Sequence, residues 1–373
     1  MEFRALLNKL AETGEAFKFE QYAERLTLDV IGTAAFGHSL GAQAMGHGSS
    51  VMRLWEEMSR AHLQAREGWR IDFVRNYLAY RRREAAKSKL DVVLTELIEK
   101  RLDYVQKNDV SLENRKGSII IDLILREYLQ EMPQNSQKRM DPAFLEDILM
   151  QVRTLVAGGT GTTTDTACFT YMLLSSHPDV QKLREEHDRV FEPAIDASYE
   201  TLCSDPYQLN SLDYTANVIK EALRMYPIGS TVRKEHSDGF LPYDGRQYTT
   251  KGFLVLPSHH TMHMNPEIFP SPMTFDPDRF VREDFPRHAW RPFERGPRAC
   301  LGQPLAMDEL KIILLLTIRD FDFTCVDLKP NKKPRVPWTD LDLTFGDRAF
   351  QEYVWEAKPR DGMPMSVRRS DWA

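Results

Sequence analysis

The sequence predicts a mainly α-helical protein with small β-sheets, and three observations lead there. Apolar residues recur at helical spacing through most of the chain before Pro227. Apolar or β-branched runs punctuated by turn signals occur only after Pro227. The 373 residues, 42% of them hydrophobic, can bury a large core, and no shift in composition asks for a second domain. The expectation is therefore one domain over residues 1–373.

The elements follow in order. Leu26, Leu28, Val30 and Ile31 give one helix an apolar face near Asp29. Leu90 to Val105 carries apolar residues at helical spacing. Arg81-Arg82-Arg83 with Lys87 and Lys89 reads as a solvated helix face, with a membrane-surface or partner contact as the alternative. The polar stretches 106–118 and 131–140 read as loops. A long helix starts at Asp141-Pro142, where Asp caps and Pro is tolerated in the first turn, and runs through Ile148, Val152, Leu155 and Val156 to about Ser176. Pro178 opens the next helix, containing Val180, Leu183 and Val190, and another spans Tyr214 to Tyr226. Asp244-Gly245 and Lys251-Gly252 punctuate an antiparallel hairpin region between Phe240 and Leu256. An irregular, Pro-rich section runs from Asn265 to Arg298, followed by an apolar helix from Leu305 to Leu316 and C-terminal strands.

Charge and cysteine usage exclude several classes. A net charge of -6 argues against a nucleic-acid binder. Four cysteines at irregular positions make no disulfide framework and favour a reducing compartment. No run approaches 18 apolar residues, so no membrane span is expected, and the first residues lack a signal-peptide pattern. There is no internal repeat.

The chemistry concentrates in Phe293-Glu294-Arg295-Gly296-Pro297-Arg298-Ala299-Cys300-Leu301-Gly302, an F-x-x-G-x-R-x-C-x-G pattern. It sets one cysteine in a cationic, glycine-punctuated loop that runs into a helix. Arg298, the loop amides and the helix N-terminus all favour a thiolate, and Gly296 and Gly302 permit turns and close approach. That setting suits a thiolate metal ligand. The ordinary alternative is a buried free cysteine, which is the reading for Cys203 and Cys325. Upstream, Glu221 and Arg224 lie three residues apart on one helix face and can pair, and Pro277-Asp278-Arg279-Phe280 follows. Gly158-Gly159-Thr160-Gly161-Thr162-Thr163-Thr164-Asp165-Thr166 is a poor helix by propensity inside the long helix, which marks a hinge, a bulge or a functional site.

Together these motifs resemble the cytochrome P450 family, in the order E-x-x-R, a P-E-R-F-like segment, then the cysteine. The resemblance is strongest from Asp141 to Leu316 and is closest to fungal members acting in secondary metabolism. It implies a cytochrome P450-like fold. Asp29-Val30-Ile31-Gly32 and Ala35-Phe36-Gly37 match a helix well inside the usual family sequence, so the resemblance also implies that the usual N-terminal portion, roughly a quarter of a typical member, is absent here.

The implied roles follow residue by residue. Cys300 is the axial ligand of haem b, a thiolate that promotes O–O cleavage. Arg298 and Arg233 pair with the haem propionates, Gly302 completes the signature, and Phe293 packs near the sulfur. Glu221, Arg224 and Arg279 form a buried salt-bridged triad with a structural role. Counting back from His177-Pro178, the family's proton-handling threonine falls on Thr162, with Thr163 beside it. Gly161 stands where the family carries an acid, which leaves protons to come through water, through Asp165 one turn on, or poorly. Leu149, Val152, Arg153 and Val156, residues 228–232 and the turn at Asp361-Gly362-Met363 are implied pocket positions.

The expected function is a haem-dependent monooxygenase, inserting one oxygen atom from O2 into an apolar small molecule in secondary metabolism. Electrons would come from NADPH through a cytochrome P450 reductase. The resemblance implies membrane association at the cytosolic face of the endoplasmic reticulum; the absence of an apolar span in the chain leaves a cytoplasmic location as the other expectation. Two alternatives remain: a haem–thiolate isomerase or dehydratase acting on peroxides without a reductase, and a truncated, inactive haem-binding remnant.

Overall fold

The computed structural model describes residues 1–44, 49–66, 73–108, 119–131, 140–235, 239–286, 288–337, 339–354 and 356–372. In chain order they form α1 (Glu2–Thr13), β1 (Phe17–Lys18), α2 (Phe19–Phe36), α3 (Ser50–Arg66), α4 (Phe73–Lys107), α5 (Ile120–Glu131), α6 (Pro142–Leu174), α7 (Val180–Val190), α8 (Ile195–Ser204) and α9 (Asp213–Met225). Then come β2 (Phe240–Tyr243), β3 (Arg246–Thr249), α10 (His259–His263), α11 (Arg279–Arg282), α12 (Gln303–Thr317), β4 (Phe321–Cys325), α13 (Asp342–Phe345), β5 (Gln351–Tyr353), β6 (Ala357–Pro359) and β7 (Pro364–Arg369). The chain divides into two compact units, Met1–Glu20 with Thr162–Ala373, and Gln21–Gly161.

The Gln21–Gly161 unit is helical. Its core is built on the α4 stripe Leu90, Leu94, Ile98 and Leu102, one residue per turn, as the helical spacing of 90–105 predicts. Phe36, Ile121, Leu125, Ile148, Leu149 and Val152 close this core. Asp29 is buried and accepts the amides of Ala42 at 2.9 Å and Gln43 at 3.0 Å, which ties down the chain leaving α2. Arg81, Arg82 and Lys89 are exposed on α4. Residues 106 and 107 belong to α4 and not to a loop; most of the remaining expected loop, 109–118, and residues 132–139 lie outside the described residues.

The other unit carries the sheets. β7 sits between β1 and β4, antiparallel to both, with Phe17 opposite Met365 and Phe323 opposite Val367. Phe19, Tyr171 and Phe323 pack above it, ring centroids 4.7 Å and 4.6 Å apart along the chain of contacts. β2 and β3 form the expected hairpin, turning at Asp244 (φ 49°) and Gly245 (φ 69°), left-handed positions that Asp and Gly tolerate. The second turn, at Lys251-Gly252, leads into no further strand of that hairpin. Val255 instead pairs with Arg233, the two exchanging backbone hydrogen bonds of 2.8 Å.

α6 runs unbroken through its glycine and threonine stretch. Thr160 donates to the Val156 carbonyl at 2.7 Å, and Thr166 to that of Thr162 at 2.8 Å. These hydroxyls are satisfied inside the helix by bonds that themselves weaken it slightly, and burial of Thr160, Thr163, Thr164 and Thr166 holds the low-propensity stretch helical.

Candidate functional site

The irregular section before the cysteine has little secondary structure, so charge must hold it. Glu221 on α9 is fully buried and accepts Arg224 Nε and Nη2, both at 2.8 Å, a bidentate pair. Arg279, at the start of α11, donates Nε to Glu221 Oε1 at 3.0 Å and is 1% exposed. The spare donors reach loop carbonyls, Arg224 to His263 at 2.9 Å and Arg279 to Pro270 at 2.8 Å, and the Asp276 amide donates to Glu221 at 3.1 Å. One carboxylate and two guanidinia thus fix backbone from residue 263 to 279. The structure brings the three expected triad residues together.

The cysteine loop follows. Gly296 takes φ 77°, a left-handed position that favours glycine, and opens a 3-10 turn over Gly296–Arg298. The Cys300 amide closes the loop by donating to the Phe293 carbonyl at 2.8 Å. The Cys300 thiol is exposed and, among the described residues, makes no hydrogen bond. α12 begins three residues later. Gly302, expected to supply conformational freedom, sits at φ -82° as the residue capping α12, and a Cβ there would make ordinary contact, 3.8 Å from the Cys300 sulfur. Its left-handed freedom is not used. Phe293 packs edge-on against Trp290 at 6.1 Å.

Leu301 beside the thiol is 97% exposed, Val232 53%, and Arg298 is exposed as well. An uncommitted thiol, the exposed Arg298 guanidinium and bare apolar side chains form a donor set that suits haem, a flat apolar ring with a metal and two carboxylates. Cys203, read as a buried cysteine, is instead exposed near the end of α8, whereas Cys325 is buried as expected.

Arg233 lies in the segment after α9, its backbone held by Val255. Its Nη2 is 3.7 Å from Glu294 Oε1, an ion pair beyond hydrogen-bond reach. Glu294 itself is buried. Burial opposes its ionisation, but hydrogen bonds from Thr231 and Arg291, the Arg291 charge and the Arg295 amide outweigh it and hold the carboxyl down at about 2.

On α6, Gly161 and Thr163 are buried and Thr162 half-buried. Asp165 is fully buried, its Oδ1 3.9 Å from Lys358 Nζ, which also meets Glu20 at 2.9 Å and Glu356 at 3.6 Å. Burial works against the Lys358 charge, but the Asp165 and Glu20 carboxylates more than compensate and raise its pKa. Of the implied pocket residues, Leu149 and Val152 belong to the core of the Gln21–Gly161 unit, and Arg153 pairs with Asp91. Ile228 and Met363 are buried in the other unit, Met363 accepting the Phe19 amide at 3.1 Å.

Sequence reasoning missed Glu294, which occupies a variable position of the cysteine motif, and His259, whose Nε2 lies 3.2 Å from it. It also missed the Lys358 cluster, whose members are as far apart in sequence as Glu20 and Lys358. No local pattern announces such a contact.

The cytochrome P450 family model matches residues 1–343. The cytochrome P450 monooxygenase polC of Polytolypa hystricis is 30% identical over 98% of this chain and 65% of its own length. The cytochrome P450 monooxygenase acrF of Aspergillus aculeatus is 29% identical over 98% of this chain and 76% of its own length. The chain therefore spans about two thirds to three quarters of these relatives. A crystal structure of a cytochrome P450 (CYP102L1) superposes on 99% of this chain and 75% of that one, with TM-score 0.71 and 20% identity. The cytochrome P450DA heme domain does so with TM-score 0.70 and 21% identity.

Proposed function

Because the chain belongs to the cytochrome P450 family, we propose that it is a haem–thiolate monooxygenase, inserting one oxygen atom into an apolar small molecule of secondary metabolism. The observation that carries this is the exposed Cys300 thiol in a loop whose approach is braced by the buried Glu221–Arg224–Arg279 triad. The family implies haem as cofactor, and haem, when bound, supplies the activation of dioxygen.

The residues divide the work. Cys300 Sγ would hold the haem iron. Arg298 and Arg233 would offer guanidinium donors to the cofactor carboxylates, and Phe293 would pack near the sulfur and tune it. The triad keeps the loop in register and takes no chemical part. Thr162, with Thr163 beside it, positions the water that carries protons inward. Gly161 supplies no acid, and Asp165 is engaged with the Lys358 cluster, its Oδ1 3.9 Å from Nζ. That supports water, rather than Asp165, as the proton carrier. In the same reading both compact units belong to one catalytic domain, electrons arrive from NADPH through a cytochrome P450 reductase, and the enzyme works at the cytosolic face of the endoplasmic reticulum.

The test is the carbon monoxide difference spectrum of the reduced protein. A red-shifted Soret band that disappears in Cys300→Ser supports the reading; the band of a neutral-thiol or histidine-ligated haem sinks it. Gly161 favours one second reading, peroxide chemistry that needs no proton relay. Turnover of a peroxide substrate without NADPH distinguishes it.

A further inference from the structure

Glu294 is an unusual residue for its place. It lies within the cysteine loop, takes the left-handed φ of 59° and is 5% exposed. A side chain in that conformation is strained, and a buried carboxylate needs partners as well. Both demands are met by the contacts of its two oxygens. Oε2 accepts from Arg291 and from the Arg295 amide at 3.2 Å, both in its own loop. Oε1 accepts from the Thr231 hydroxyl, lies 3.2 Å from His259 Nε2 and faces Arg233 Nη2 at 3.7 Å. His259 Nδ1 in turn lies 3.2 Å from the Gly229 carbonyl. One oxygen therefore serves the cysteine loop, and the other serves residues 229–233.

The Arg233 contact differs from the rest. At 3.7 Å it is an attraction between charges with no hydrogen bond, and among the described residues the Arg233 guanidinium makes none. Its backbone is already fixed on Val255, so only the side chain needs aiming. A nearby anion that takes no hydrogen bond restrains the guanidinium and leaves its five N–H donors for another carboxylate.

We propose that Glu294 is a positioning residue: it tethers Arg233 by charge alone and so aims it at a haem carboxylate, linking that arm to the loop that presents Cys300. This rests on the roles proposed above for Cys300 and Arg233. A purely local role, in which Glu294 only shapes its own loop through Arg291 and Arg295, predicts no communication with Arg233, and that is what a test must separate.

The experiment is haem transfer from the reconstituted 373-residue chain to excess apomyoglobin, in a double-mutant cycle of Glu294→Gln and Arg233→Ala. Each single variant is expected to lose haem about tenfold faster than the parent, the effect of one charge-assisted contact. The double variant is expected to lose it no faster than Arg233→Ala. In Glu294→Gln the thiolate Soret band is retained and the reduction potential rises, because removing a nearby negative charge favours the reduced cofactor. Additive rates in the cycle, or a Glu294→Gln protein with parental haem loss and potential, overturn the proposal while leaving the Cys300 reading intact. A parent chain with no thiolate band overturns both. Should Glu294→Gln fail to fold, Glu294→Asp is made in the Arg233→Ala background. Haem loss unchanged from Arg233→Ala supports the tether, and faster loss refutes it.

Discussion

Glu221 shows what single residues carry in this chain. It is fully buried with two guanidinia, and burying such charges costs more than their attraction returns unless every partner is present. Glu221→Gln leaves Arg224 and Arg279 buried without their anion and is expected to lower stability by about 3–5 kcal/mol, measured by urea unfolding. Glu309, on α12, is the opposite case: burial alone raises its pKa from 4.5 to about 8. The folded protein then holds a proton that the unfolded chain releases, so the contribution of Glu309 to stability is fully present below pH 4.5 and is lost as pH rises toward 8, by up to about 1.4 kcal/mol per pH unit. Glu309→Gln should flatten that slope in thermal melts across this range. An unchanged slope would mean that Glu309 ionises freely in the fold.

At the scale of the element, α6 shows how much a glycine's value depends on its neighbours. A Cβ on Gly159 would come 2.8 Å from Ile31 Cδ1 and Cγ1 on α2, whereas one on Gly158 would meet nothing within 4 Å. In the haem-free protein Gly159→Ala is expected to destabilise by about 1–3 kcal/mol through overpacking. Gly158→Ala is expected to stabilise by about 0.5–1 kcal/mol through helix propensity. Opposite signs from adjacent glycines, read by chemical denaturation, test the local packing of α2 on α6. The sequence showed only that the stretch was a poor helix former. That it stays helical follows from burial of the segment, which a propensity scale does not count; the threonine back-bonds only satisfy the hydroxyls.

For the molecule as a whole, cofactor and folding are linked. A ligand that binds only the folded chain stabilises it by mass action, about 4 kcal/mol at a thousandfold excess over its dissociation constant. Haem is therefore expected to raise the melting temperature in a concentration-dependent way, and Cys300→Ala to lose most of that gain. A melting temperature indifferent to haem would count against the proposed cofactor site. Among the described residues no helix is long and apolar enough to cross a membrane.

The sequence by itself determined the helix-rich class, the hairpin at Asp244-Gly245, the thiol-bearing loop and the three charged residues that brace it. Each of these is written within a short window, as a period, a turn pair or a spaced motif. Tertiary structure alone decided that Glu294 meets Arg233 and His259, that Asp165 faces Lys358, and that Leu149 and Val152 pack into a core. Those outcomes depend on which distant segments share one buried volume. Burial then sets which charges must pair, and no local pattern in the chain encodes that.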